Sequence, residues 1–309
     1  MKNNTSMYVL LLLVPLFWGG AFGAAKHIIT EVPPITAATL RFGSASLILL
    51  VLVLVRSKWD TAAIKKQWIG LMGMAVTGIF LYNVFFFIAL KYTSAINGSL
   101  IMATTPVFIT FGAVFFLNEV FNKRLGFGLF LSLFGVLIVI FKGSIETLLT
   151  LSFNSGDLLF VAALACWVIH GLIAKVVMKD VSSLLTTTVS MLVGSVFLAI
   201  CSIFEGGWTD VATMSFQSWL ELAYMSILAS VIAFILWNEG IKQIGTSKSS
   251  MYMNLVPINA AWISVIFYGS TLHWQQLIGM LIVIVGVFIA TSRKHSKTLK
   301  SNPLQMLQR

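Results

Sequence analysis

Aromatic, amide and thioether side chains set inside long apolar runs are the residues here with chemistry to offer. Trp18, Tyr82, Asn83, Met102, Trp167, His170, Trp237, Asn238, Met253 and Asn254 all fall in such runs, as do Pro106 and Pro257. Rings, amides and thioethers make a lining suited to uncharged or zwitterionic organic solutes, and ring faces equally attract flat cations. No cluster of Arg and Lys marks a phosphate cage. Each proline removes a backbone donor and frees the carbonyl four residues back, at Met102 and Met253. Two readings of that pair stand: a structural bend, or a kink that lines a cavity with backbone acceptors.

His170 lies three residues beyond Trp167, on the same helical face. It is read either as a proton-coupling group or as a neutral histidine bonded to a neighbouring helix. Arg41 sits about two turns into its run, where it either holds an anionic group or snorkels to the headgroups. Glu239 reads as an interfacial ion pair with Lys242, three residues on, and Glu221 as a solvated acid. Lys26, Lys91, Lys175 and Lys242 read as anchors at helix ends. Gly19 and Gly23, and Gly171 with Ala174, offer small faces for close helix approach.

These residues recur at fixed intervals. Trp68 and Trp219, Lys91 and Lys242, Ser99 and Ser250, Met102 and Met253, Pro106 and Pro257, Gly128 and Gly279, and Gly135 and Gly286 share an offset of 151. Trp18 with Trp167 and Lys26 with Lys175 share an offset of 149. The chain is therefore two copies of one unit, residues 1–147 and 148–309 with a basic tail on the second.

Lipid is the solvent for both copies. Hydrophobic residues make up 58% of the 309 and charged residues 10%, far below the roughly 25% of soluble domains. About 20 apolar residues cross a bilayer as a helix. Segments 7–26, 34–55, 68–90, 94–117, 124–142, 157–178, 183–203, 217–240, 246–268 and 273–291 qualify, making ten transmembrane helices in an all-α polytopic protein. The first run carries no small-residue cleavage site and is read as a span, not a signal peptide.

With the N-terminus inside, 16 Lys and Arg fall in cytoplasmic segments and 3 in outer ones, which places both termini in the cytoplasm. That distribution accounts for the net charge of +10 without nucleic acid. Gly143 to Asn154 is the polar link between copies. Five helices per copy turn the second copy over relative to the first, so the repeats are inverted about an axis in the membrane plane.

The doubled motifs carry a resemblance. Pro15-Leu-Phe-Trp18-Gly19, Leu40-Arg41-Phe42, Ala89-Leu-Lys-Tyr-Thr-Ser-Ala95, Thr105-Pro106 and Leu117-Asn-Glu119 stand in order in the first copy. Gly156-Asp157-Leu-Leu, Cys166-Trp167, Gly240-Ile-Lys242, Val256-Pro257 and Gly279 follow in the second. In this the chain resembles the EamA-type family of the drug/metabolite transporter superfamily, over roughly 8–141 and 157–291. It departs from that pattern where Ser270 replaces a second Glu119 and Ser190 a second Arg41.

The resemblance implies a plasma-membrane exporter of small metabolites such as amino acids, working by alternating access. Its cavity would be formed mainly by spans one, three, four, six, eight and nine. A passive facilitator and a multidrug or organic-cation exporter share that fold. The bilayer and a small-molecule solute are then the partners; proton coupling, and a monomer or a homodimer, stay open.

Enzyme classes lack their residues. There is no G-x-x-x-x-G-K-[ST] loop for a nucleotide, no G-x-S-x-G elbow, and no metal spacing among His27, His170, His273 and His295. Cys166 and Cys201 form no disulfide framework. No cofactor or metal is expected.

Overall fold

The structure, a computed structural model, describes residues 5–56, 59–93, 98, 101–141, 154–268 and 272–292. Ser99, Ser270, the link up to residue 153 and the basic tail lie outside these. Every regular element among the described residues is helical. Eight helices are long and apolar enough to span a membrane: α1 (Ser6–Ile28), α2 (Pro34–Arg56), α3 (Trp68–Tyr92), α5 (Lys123–Phe141), α6 (Ser155–Val177), α7 (Ser183–Glu205), α8 (Phe216–Ile244) and α10 (Trp274–Thr291). Between them lie α4 (Ile101–Leu117), a shorter apolar helix, and α9 (246–268). α9 changes character along its length, from α at Thr246–Ser250 through 3-10 at Met251–Leu255 to α again at Val256–Tyr268.

Local chemistry sets these boundaries. Pro15 has no N–H for the Leu11 carbonyl, and α1 breaks into a turn there, with Val14 N–H donating to Leu11 at 3.3 Å instead. Asn154 and Asp157 form a reciprocal capping box that opens α6. Ser182 and Ser215 cap α7 and α8 with side-chain bonds of 3.2 Å to Leu185 and Ser218 N–H. Gly245, at φ 97°, ends α8 in a conformation closed to other residues.

The helices meet their counterparts. A methyl placed on Gly128 would lie 2.5 Å from the Gly286 carbonyl, and one on Gly135 would lie 2.7 Å from that of Gly279. Position 128 thus faces 286 while 135 faces 279, so α5 and α10 run antiparallel at backbone contact distance. The counterpart hydroxyls Ser46 of α2 and Ser195 of α7 lie 3.2 Å apart. α1 packs on α8 and α9, and α6 packs on α3 and α4. Exchanging the two copies maps each of these pairings onto another in the set.

Equivalent lysines do equivalent work. Lys26 Nζ donates to the Leu90 carbonyl and Lys175 Nζ to that of Ile241 at 2.8 Å, acceptors 151 apart. Each cation thereby closes a helix C-terminus, where the backbone dipole favours positive charge. α3 and α8 also share a defect, a π-helical stretch at Ala75–Leu81 and at Met225–Ile232. Such widened turns often accompany functional sites.

The bundle has two ends. At the termini end, Lys66 and Gln67 bond Asp180, and Glu119 accepts from the N–H groups of Thr246 and Ser247 at 2.7 and 3.0 Å. At the far end, Glu205 accepts from Ile35 and Thr36, Glu31 from Ser215, and Thr93 Oγ1 donates to Asp157 at 2.6 Å.

Candidate functional site

A cavity of about 340 Å³ opens in the middle of the bundle, displaced toward the far end. α1 lines it with Trp18, Ala21 and Phe22, α2 with Arg41 and Phe42, and α3 with Tyr82 and Phe86. α4 adds Met102 and Ala103, α6 adds Trp167, α8 adds Phe234, and α9 adds Met253, Val256, Pro257 and Ala260.

An aromatic cluster forms one wall. Trp18 and Trp167, counterparts at offset 149, meet edge to face with centroids 5.4 Å apart. Tyr82 lies 5.2 Å from Trp167, and Phe234 packs edge-on against both tryptophans. Both indole N–H groups are used. Trp18 donates to the Ala229 carbonyl, within the π-helical stretch of α8, at 2.9 Å, and Trp167 to Met253 Sδ at 3.3 Å. The rings are therefore held in fixed orientations that leave apolar surface toward the cavity.

Arg41 supplies a cation to this lining. Its side chain is buried, its Nε donates to Ser230 Oγ at 2.9 Å, and its guanidinium carbon lies 4.7 Å from the Phe42 ring centre. Ser230 and Ser226 both belong to the π-helical stretch of α8; Ser226 Oγ donates to the Arg41 carbonyl at 3.2 Å. The widened turn thus presents two hydroxyls, one turn apart, to α2.

Five of the ten residues singled out in the sequence line the cavity: Trp18, Tyr82, Met102, Trp167 and Met253. The other five are buried around it. His170 is fully buried behind Trp167, stacked on it at 5.2 Å, with Nδ1 3.1 Å from the Met74 carbonyl. Asn83 bonds back to the Ile79 carbonyl, Asn238 donates to Thr187 Oγ1, and Asn254 donates to Ser132 Oγ on α5. Trp237 is fully buried against Trp18 and Trp167 on the termini side.

Pro257 lines the cavity, whereas Pro106 is buried at the start of a helical turn. Both freed carbonyls find donors within the protein. That of Met102 accepts from Thr105 Oγ1 at 2.5 Å, and that of Met253 from Val256 N–H in a 3-10 turn.

Two expectations about charges change. Glu239 does not pair with Lys242; its carboxylate accepts from Ser183 Oγ and Gln243 Nε2, each at 2.5 Å, because the start of α7 comes within its reach. Glu221 is not a solvated acid; its side chain is 15% exposed and meets His27 Nδ1 at 2.7 Å where α8 packs on α1. Among the described residues no cluster of three or more His, Cys, Asp or Glu can hold a metal.

The model of the EamA-like transporter family matches this chain twice, over residues 5–141 and 154–292, so the chain belongs to that family. It is 35% identical over 289 residues to "Uncharacterized transporter YyaM" of Bacillus subtilis, covering 94% of each chain. It is 25% identical over 291 residues to "Probable amino-acid metabolite efflux pump" of Salmonella typhimurium, covering 91% of this chain and 93% of that one. A crystal structure matches with a TM-score of 0.77 and 18% identity, over 94% of this chain and 98% of that one, a likeness of fold. The protein is a multi-pass membrane transporter.

Proposed function

From that membership and from the cavity, we propose a secondary transporter that exports small organic metabolites across the plasma membrane by alternating access. Ten spans form two inverted five-helix repeats, residues 1–147 and 148–309, with both termini cytoplasmic. The far end is then the outer face, and the solute sits between Trp18, Tyr82, Met102, Trp167 and Met253. The amino-acid metabolite efflux named for the Salmonella relative supports that choice of solute, as does a cavity walled by ring faces.

One observation carries the reading. Tyr82, Phe86 and Arg41 line the cavity, while their counterparts Ala233, Trp237 and Ser190 are each no more than 1% exposed on the other side of the Trp18–Trp167 contact. Equivalent positions line the cavity in the first copy and are packed away from it in the second. A protein of two like halves that swap those roles exposes one site to each face in turn.

Uptake into liposomes holding the purified protein tests this, using labelled amino acids and aromatic cations with and without a pH gradient. Saturable, protein-dependent movement of an amino acid or related metabolite is expected; movement of the cations alone would replace the substrate class, and no saturable movement would overturn the transporter mechanism proposed here. His170→Gln tests proton coupling in the same assay. A pH dependence flattened by the change assigns the coupling to His170, and an unchanged one leaves His170 as the group that positions Trp167.

A further inference from the structure

Arg41 is 6% exposed, yet it lines the cavity. Its Nε bond to Ser230 is the only hydrogen bond that its side chain makes to a described residue, and the two terminal nitrogens of the fork keep their donors. No carboxylate among the described residues pairs with it. Asp157, the buried acid, is engaged at the far end by Thr93 and by the Asn154 N–H. None of the residues lining the cavity is acidic.

A buried guanidinium without a counter-ion is unfavourable unless something pairs with it, and the nearby Phe42 ring offsets only part of that. The Ser230 bond fixes Nε and so orients the fork. A planar fork with free terminal donors matches a carboxylate in two parallel bonds.

We propose that Arg41 is the anion-recognition residue of the cavity, and that the transported class is organic monocarboxylates with an apolar body. The carboxylate docks on the two terminal nitrogens of Arg41, and the body lies against Trp18, Trp167 and Tyr82. One cation in an otherwise apolar lining suits a single negative charge. A dianion would leave one charge unpaired in a dry site. An ammonium group would meet no acid and would likewise go unpaired, so an amino group on the solute weakens binding at this site, and organic cations are repelled.

This inference rests on the transporter reading, and its test separates the two. Binding to purified wild type in neutral detergent is measured by quenching of tryptophan fluorescence. The probes are 3-phenylpropionate, 3-phenylpropionamide, phenylalanine and phenethylamine. The carboxylate is expected to bind about tenfold more tightly than the amide, with phenylalanine weaker than the carboxylate and phenethylamine weakest.

Arg41→Gln should remove the preference of carboxylate over amide, and Arg41→Lys should restore part of it. Should Arg41→Gln fail to fold, Ser230→Ala keeps the guanidinium but frees Nε, and should narrow the preference. Equal binding of carboxylate and amide by the wild type, tighter binding of the amine, or no binding of either carboxylate would overturn the proposal. So would a preference that survives Arg41→Gln. Transport of the same four probes is the second arm. Arg41-dependent carboxylate binding without transport would sink the transporter reading alone. Transport of amide and amine at the carboxylate's rate would sink the anion site alone.

Discussion

The two sides of the Trp18–Trp167 contact are built from the same helices and packed differently. On the far side, Arg41, Tyr82 and Phe86 stand around open space. On the termini side, Ser190, Ala233 and Trp237 occupy the matching positions and are buried; Ser190 bonds back to its own helix at Thr186, and Trp237 packs against both central tryptophans. Backbone pairings and the lysine ties follow the repeat, and the side chains beside the central contact do not. Under the alternating access proposed above, a solute would meet two sites of unlike polarity, and differential affinity of the two states would bias their populations.

The largest effect should come from unplugging the packed side. Trp237→Ala removes a fully buried ring and is expected to cost about 3–5 kcal/mol, read as a lowered thermal midpoint of the purified protein. Phe86→Ala, the counterpart, should cost less because its ring already borders open space. Equal losses would mean that the two sides are packed alike.

Next comes the seam that both copies share. Gly128→Ala and Gly279→Ala put methyls 2.5 and 2.9 Å from the carbonyls of Gly286 and Gly135, on backbone that has no way to give. Each should cost roughly 1–3 kcal/mol, and by similar amounts, since the contact maps onto itself. A cost confined to one of them would break the equivalence of α5 and α10.

The lysine ties should matter less. Lys26→Met and Lys175→Met each remove a charged donor from a helix-end carbonyl, a loss of about 1.5–3 kcal/mol where the group is buried and less here, where both ties are partly open. Transport rate per folded molecule is the measure. A change with one variant and none with the other would assign gating to that end only.

The smallest effect is a pH dependence at the ends. Hydrogen bonds from Lys66 and Gln67 hold the Asp180 carboxyl below its usual value of 3.8, and the Ser215 N–H and hydroxyl hold Glu31 below 4.5. In each case the unfolded chain binds the proton more readily. The stabilisation is therefore full above the unfolded value and is lost as pH falls through the lower folded value. Thermal midpoints of Asp180→Asn and Glu31→Gln should lie below wild type at neutral pH and converge with it in acid. Salt should shrink the gap more for Asp180, whose first partner is a cation, than for Glu31, whose first partner is neutral.

Much of the architecture was legible from spacing. The offsets of 149 and 151 pair residues that the fold brings together: Trp18 touches Trp167, and Gly128 and Gly135 meet the second-copy glycines. The cavity was legible only in part. Trp and Met stand out by type, but whether a ring faces open space or fills it depends on its neighbours. Trp237 and His170 share the composition of a lining residue and sit one layer behind it. Asn83, Asn238 and Asn254 satisfy nearby helix groups, which no periodicity distinguishes from a group turned to a solute.

Arg41 was visible as the lone charge deep in its run. Its orientation toward the cavity depends on Ser230, brought there by a π-helical stretch that the sequence does not announce. The proline carbonyls are the converse case. The missing donor was predictable, whereas its replacement by Thr105 Oγ1 and by a 3-10 turn depends on local side chains and backbone winding.

Labelling at two counterpart positions tests the central claim most directly. In protein with Cys166 and Cys201 replaced by serine, Tyr82→Cys and Ala233→Cys place single thiols on the cavity wall and at its closed equivalent. A membrane-impermeant maleimide is then added to one face of oriented liposomes at a time. Alternating access predicts that position 82 reacts only from the far-end face, and position 233 only from the termini face and more slowly. Reaction of both thiols from the same face would contradict it.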